Sequence, residues 1–350
     1  MSFYKCQKCQ KAWQYPIERC PDCFSILERS LPGKAKVVGV SQVKVSTILH
    51  PQTPFFALVL EDENGNRWTH KSSIEYKIGD EVEFSPSVDK NAVAIWRTKH
   101  DILEAIDNLV GLLGGLKIGE DSKILVLPSI NSSKHPYLAE NTSPQFLEAM
   151  IDYLLSKGAK SENIKIVAQS FNDVPAGVSA TKSQLIDVCK NKKVEPIDLA
   201  EKGFVKKGGA DISELAFSND IIINLPILGL NAKKGIISAT ENLLKLAKKE
   251  SYLGLKYLHD EEEVTKKIIG VLPEILNVAE AIYIQRQDKA NVYFGLALAS
   301  FNSFNLDRVF AETAMIKNLP AFLKEINLEN ILVVGRSIKE VQIEADKLGI

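Results

Sequence analysis

The chain has 350 residues, 45% hydrophobic and 25% charged, with a formal net charge of −1. This is ordinary globular composition, long enough for two or three domains, and it excludes a bulk electrostatic attraction to nucleic acid or an anionic membrane. No apolar run reaches the roughly 18 residues of a membrane span, and Met-Ser-Phe-Tyr-Lys-Cys at the start lacks a signal peptide's hydrophobic core, so a reducing cytoplasm is expected.

Residues 1–33 carry Cys6-x-x-Cys9 and Cys20-x-x-Cys23. Two such knuckles place four thiolates at the corners of a tetrahedron, the all-sulfur geometry Zn²⁺ accepts. So short a segment cannot bury enough apolar surface to hold itself together, and a metal cross-link would supply the missing stability. The expected group is a structural zinc ribbon; a disulfide pair or an iron-bound redox centre are the competing readings. A closed four-sulfur site leaves no open coordination position for catalysis. The fifth cysteine, Cys189, lies in a helical pattern and reads as a small core residue.

Residues 34–98 read as an OB-like β-barrel. A long strand from Lys36 contains Gly39, suited to a bend or bulge. Phe55–Asp62 follows, then an Asn64-Gly65 turn into Arg67-Trp-Thr-His, then Glu81–Phe84, and Ala92–Trp96 closes the set. OB barrels often bind single strands, but residues 1–100 hold 14 Lys+Arg against 11 Asp+Glu, too small an excess for a nucleic-acid groove. Trp68 and Trp96 read as barrel core.

Residues 99–350 alternate strands and helices, giving an α/β domain with a mainly parallel sheet. Strands are predicted at 123–127, 164–168, 220–225 and 330–334. Helices are predicted from Ser143-Pro144, at 180–190, and at 236–249, 261–276, 305–317 and 337–348. Gly111-Leu-Leu-Gly-Gly precedes a strand, whereas a dinucleotide fingerprint must follow one. Ligands of open parallel sheets collect beyond the carboxyl ends of strands. There the chain offers His135, Asn224, Asn231, Lys233, Lys234 and Arg336 as candidate ligand-binding residues, with His135 the best single acid–base candidate. No catalytic residue is assigned.

The four cysteines, Tyr15-Pro16, Cys20-Pro21, Pro54-Phe-Phe-Ala-Leu-Val-Leu-Glu-Asp and Ile78-Gly79-Asp80 make residues 1–97 resemble the domain-of-unknown-function 35 family. That resemblance implies a rubredoxin-like zinc ribbon plus OB fold, associated with thiolases or other acyl-CoA enzymes. Residues 101–350 resemble the domain-of-unknown-function 362 family through Ile124-Leu-Val-Leu-Pro128, Thr142-Ser-Pro144 and Asn219-Asp-Ile-Ile-Ile-Asn-Leu-Pro226. Val271-Leu-Pro273, Asp307 and Ile331-Leu-Val-Val-Gly335 continue the match. Where members of that family typically carry lysines and a Pro-Lys-x-Lys-x-His stretch, this chain has Leu127 and Pro226-Ile-Leu-Gly-Leu-Asn231.

The expectation is an accessory or scaffold protein that docks through the ribbon and barrel onto a partner of the thiolase or acyl-CoA type, with a ligand-binding α/β domain. The alternative is an enzyme acting on an anionic, phosphate- or CoA-bearing molecule where His135, Asn231, Lys233 and Arg336 converge. Nucleic-acid binding through the barrel is a third reading.

Overall fold

The computed structural model describes residues 3–13, 17–30, 33–45, 54–72, 75–84, 89–98, 101–171, 174–231, 235–286 and 289–342. Its contacts divide the chain into two units, Met1–Pro86 and Ser87–Ile350.

In the first unit, β1 (Phe3–Cys6), β2 (Ala12–Trp13) and β3 (Leu27–Ser30) form a small antiparallel sheet with β1 in the middle. Next come β4 (Gly33–Val43), β5 (Phe55–Asp62), β6 (Arg67–Ser72) and β7 (Glu81–Phe84), antiparallel in the order β6-β5-β4-β7. The β4–β5 register slips between Val37 and Gly39, the expected bulge. Gly65 closes the β5–β6 hairpin with φ of 76°, a conformation that costs glycine nothing. Val37, Leu58, Leu60 and Trp68 fill the core of this sheet.

The second unit begins with β8 (Val93–Arg97), α1 (Ile102–Leu112), β9 (Ile124–Pro128), α2 (Pro144–Ser156) and β10 (Ile164–Ala168). Then come α3 (Ala176–Lys182), α4 (Leu185–Lys192), β11 (Glu195–Asp198), β12 (Phe204–Lys207), β13 (Ala210–Ser213) and β14 (Ile221–Leu225). After these lie β15 (Gly229–Asn231), β16 (Gly235–Ile237), α5 (Ala239–Leu243), α6 (Lys249–Leu258) and α7 (Glu261–Gly270). The chain finishes with β17 (Ile275–Arg286), β18 (Lys289–Ser300), α8 (Ser303–Thr313), α9 (Ala321–Lys324) and β19 (Val333–Gly335).

Eight strands make the central sheet, in the order β11-β10-β9-β14-β17-β18-β8-β19. Only β18 runs against the others, so the sheet is mainly parallel. Successive residues of β9 feed opposite faces, as the pleat requires. Ile124 and Val126 join the core under α1, α2 and α4, whereas Leu125 and Leu127 join the core under α5, α6 and α7. Continuous burial on both faces explains the unbroken apolar runs of β9 and β14.

Three expectations are corrected. The intended fifth barrel strand, residues 92–96, is β8, an interior strand of the large sheet between β18 and β19. Trp96 therefore packs against the α/β core and not a barrel core. An apolar run such as Val-Ala-Ile-Trp suits either sheet, and only long-range pairing assigns it. Among the described residues the N-terminal sheet keeps four strands. The helix expected over 261–276 ends at Gly270, and the strand β17 begins at Ile275, where Leu272-Pro273 breaks the helix. The span predicted as one helix over 236–249 is divided among β16, α5 and the start of α6.

Candidate functional site

The cysteine knuckles are built alike. Gln10 N donates to Cys6 O and Cys6 N to Lys11 O; Phe24 N donates to Cys20 O and Cys20 N to Ser25 O. Gln10 and Phe24, each just after the second cysteine of its pair, turn the chain with φ of 59° and 56°. All four Sγ atoms lie within 4.8 Å of one another, with Cys6–Cys23 at 3.4 Å and Cys9–Cys20 at 3.5 Å. A tetrahedron of thiolates about 2.3 Å from a zinc ion has edges of about 3.8 Å, so these sulfurs fit a metal. All are free thiols, which sets aside the disulfide pairing. The Ser25 hydroxyl, 3.4 Å from Cys23 Sγ, and its backbone N–H lower that thiol to about 6, while Cys9, despite a backbone hydrogen bond at Lys11, is raised by burial and by the neighbouring sulfurs.

One cavity of the α/β unit lies at the carboxyl edge of the sheet. The strands β9, β10 and β11 build outward in one direction, and the chain then returns to lay β14 on the other side of β9. Strand order reverses there, and the diverging loops leave a crevice. A cavity of about 400 Å³ opens at this point, lined by Ser129 and Asn131 after β9, Phe171 after β10, and Glu241, Asn242 and Lys245 after β14.

Lys245 is the notable group in it, 7% exposed. Its Nζ donates to Asn131 Oδ1 at 2.6 Å and to Ile130 O at 3.3 Å. Burial pushes its amine down to about 8, partly offset by the nearby Glu241 carboxylate. Gln169, at the end of β10, pins the segment that carries it. Its Nε2 donates to Lys245 O and Ala247 O, both at 2.7 Å, and its Oε1 accepts from Lys249 N.

A ladder of buried amides fixes the floor. Asn242 Nδ2 donates to Leu127 O and Asn224 Oδ1; Asn224 Nδ2 donates to Asn277 Oδ1 and Ala239 O; Asn277 Nδ2 donates to Ser300 O. These bonds tie β9, β14, β17 and β18 together directly beneath the crevice. Asp307 of α8 completes the support, its carboxylate accepting from Ala239 N and Thr240 N at the start of α5. Burial pushes Asp307 up to about 6 despite those donors.

The residues expected from the sequence are dispersed. Asn224 is fully buried and spends its amide on the ladder, so it positions the floor and does not face a ligand. Asn231 sits in β15 opposite Gly235. Lys233 and Lys234 lie outside the described residues. Arg336 follows β19, five strand spacings from β9, about 24 Å along the sheet, and pairs with Glu340 at 3.7 Å. His135 and Arg336 therefore do not converge. His135 is exposed and caps a short turn, its Nδ1 accepting from Tyr137 N at 3.4 Å. It lines a different cavity, with Glu280.

Lys245 and Glu280 escaped sequence reading for related reasons. Leu243-Leu-Lys-Leu-Ala looks like an amphipathic helix with a solvated lysine, yet the apolar residues on both sides of Lys245 were a signal. Glu280 is the one charge in Ile275-Leu-Asn-Val-Ala-Glu-Ala-Ile, a run whose continuity already implied burial.

Fold and crevice together define an α/β protein with a cavity at the carboxyl edge of a mainly parallel sheet. Residues 124–312, more than half the chain, match the family described as Domain of unknown function (DUF362), and the chain belongs to that family. No curated protein matches it. Among solved structures it is similar to the "Ltp2-ChsH2(DUF35) aldolase", with 19% identity over 24% of this chain and 70% of that one, TM-score 0.20. It is also similar to the lactate racemase apoprotein from Thermoanaerobacterium thermosaccharolyticum, with 16% identity over 66% of this chain and 59% of that one, TM-score 0.37. No helix among the described residues is long and apolar enough to cross a membrane.

Proposed function

We propose that the α/β unit binds and acts on a small carboxylate- or phosphate-bearing molecule in the Lys245 cavity. The observation that carries this reading is a buried lysine held at the strand-order reversal by two neutral acceptors, Asn131 Oδ1 and Ile130 O. A third N–H of the ammonium is left to meet an anion in the cavity. The neighbouring charges largely cancel elsewhere: Glu140 pairs with Lys134, and Lys256 with Glu261. Lys245 is then the cation at hand for binding and proton transfer, with the Glu241 carboxylate near it. An amine displaced to about 8 can give or take a proton near neutrality. Calorimetric titration with inorganic phosphate, pyruvate and coenzyme A tests this. At least one should bind the wild type and lose about tenfold or more in Lys245→Met, the equivalent of ~1.4 kcal/mol. Binding of none, or binding indifferent to Lys245→Met, overturns it.

The first unit supports a second, compatible role as a zinc-stabilised docking module. Its sulfur geometry suits zinc, and Phe24, Ile26, Val45 and Ile78 are each about 70% exposed or more. A protein partner seated on them would remove that apolar surface from water. The partner class implied by the resemblance to the domain-of-unknown-function 35 family is a thiolase-type or other acyl-CoA enzyme. Purification of the tagged chain from its own cells should recover such an enzyme in stoichiometric amount. A clean monomer under gentle conditions sinks this role.

A further inference from the structure

A second cavity, about 510 Å³, opens on the same edge of the α/β sheet, and Glu280 lies in its wall. The strand β17 outruns β14: Asn224 pairs with Asn277, and Glu280 lies three residues further on. There its backbone is fully engaged, N donating to Pro226 O and O accepting from Leu228 N, both at 2.8 Å. Its side chain is fixed by Ser143, whose backbone N–H donates to Oε2 at 2.8 Å and whose hydroxyl adds a second hydrogen bond. Ser143 is the N-cap of α2, so the carboxylate also meets the positive end of a 13-residue helix.

This support is small for a carboxylate 3% exposed. Burial pushes Glu280 up to about 7, with the Ser143 donors opposing the rise. A buried acid ordinarily has a basic partner. Among the described residues lining this cavity there is no lysine or arginine, and His135 is the one side chain there able to carry positive charge. The remaining polar lining is neutral: Asn141, Ser143, Gln145, Gln184 and two tyrosines. Tyr137 and Tyr283, 72% and 51% exposed, stand at the cavity with their rings open to solvent.

We propose that this cavity binds an organic cation, a molecule whose ammonium group pairs with Glu280 while Tyr137 and Tyr283 offer their ring faces to its charge and apolar body. The ammonium supplies a counter-charge that no lysine or arginine among the described lining residues provides, and the tyrosine rings attract cations through their quadrupoles. The site is independent of the Lys245 cavity, which is suited to the opposite charge.

Three probes of matched size and different charge decide the matter: benzylamine, benzyl alcohol and benzoate, followed by ligand-observed NMR at pH 7.5 with the full chain. Benzylamine should bind about tenfold more tightly than benzyl alcohol, with benzoate weakest. Glu280→Gln should abolish the preference for the amine, and Tyr283→Ala, at an exposed position, should weaken benzylamine about two- to fivefold while leaving the fold intact. Should Glu280→Gln fail to fold, the charge series on the wild type and the Tyr283→Ala measurement still decide. Equal binding of amine and alcohol, or an amine preference that survives in folded Glu280→Gln, overturns the proposal.

Discussion

Lys245 Nζ lies 2.6 Å from Asn131 Oδ1, joining two residues 114 positions apart across the point where the strand order reverses. The contact closes the crevice between the loops after β9 and β14. It also places an ammonium where little water remains, and several consequences can be measured.

The Lys245 amine is displaced from 10.5 to about 8, so its protonation opposes folding. Below about pH 8 both folded and unfolded chains hold the proton, and the full penalty applies. Between about 8 and 10.5 the folded chain releases the proton first, so stability rises with pH, by up to roughly 3 kcal/mol. Urea unfolding of the wild type at pH 7.5 and 9.5 should show this rise, apart from other titrations. Lys245→Met should remove most of it.

Glu280 shows the opposite dependence. Its folded value, about 7, lies above the ordinary 4.5. Below pH 4.5 the acid is neutral in both states and costs nothing. Stability is lost as pH rises from 4.5 to 7 because the unfolded chain ionises first. Glu280→Gln should therefore stabilise the protein by about 1–3 kcal/mol at pH 7.5 and change little at pH 4.5. Equal effects at both pH values would show that the mutation acts through packing alone.

Removing the metal from the four-cysteine site should unfold or loosen the first unit. Metal analysis of chain purified under reducing conditions should give about one zinc per chain and no visible absorption of the kind iron–thiolate centres show. Cys6→Ser or Cys20→Ser should lose the metal and broaden or lower the melting of this unit, because both sulfurs are buried at the centre of its small core.

Gly235 and Gly254 give a matched pair. A Cβ on Gly235 would lie 1.6 Å from Asn318 O, at a φ of 81°. Gly235→Ala should cost more than about 3 kcal/mol and disturb the β15–β16 hairpin above the crevice. Gly254 lies inside α6 with nothing within 4 Å. Gly254→Ala should stabilise by about 0.5–1 kcal/mol, read from urea midpoints.

The amide ladder should be unforgiving. Asn277→Leu takes one of the two acceptors of Asn224 Nδ2, leaving it only Ala239 O, and removes the side-chain donor to Ser300 O in a dry interior. A loss of about 2–4 kcal/mol is expected, with thermal melting as the readout. A near-neutral effect would mean that water replaces the lost partners.

Local chemistry was legible in the sequence wherever it is settled by near neighbours. The cysteine spacing alone brought four sulfurs together, since each knuckle is a turn of a few residues. The Gly39 bulge, the Asn64-Gly65 hairpin, the Ser143 cap and the burial of Cys189 were equally local. The apolar run at 220–225 announced a strand covered on both faces. Tertiary structure decided the rest. Pairing with β18 and β19 took residues 93–97 out of the expected barrel, because the same apolar run can satisfy either sheet. It also put four strands between β9, which His135 follows, and β19, which Arg336 follows, and buried Asn224 in a ladder. The Lys245–Asn131 contact and the wall position of Glu280 follow from where the sheet reverses its strand order and from how far β17 outruns β14. Neither depends on spacing along the chain. A charged side chain among leucines reads as solvated until the fold shows which side faces the core.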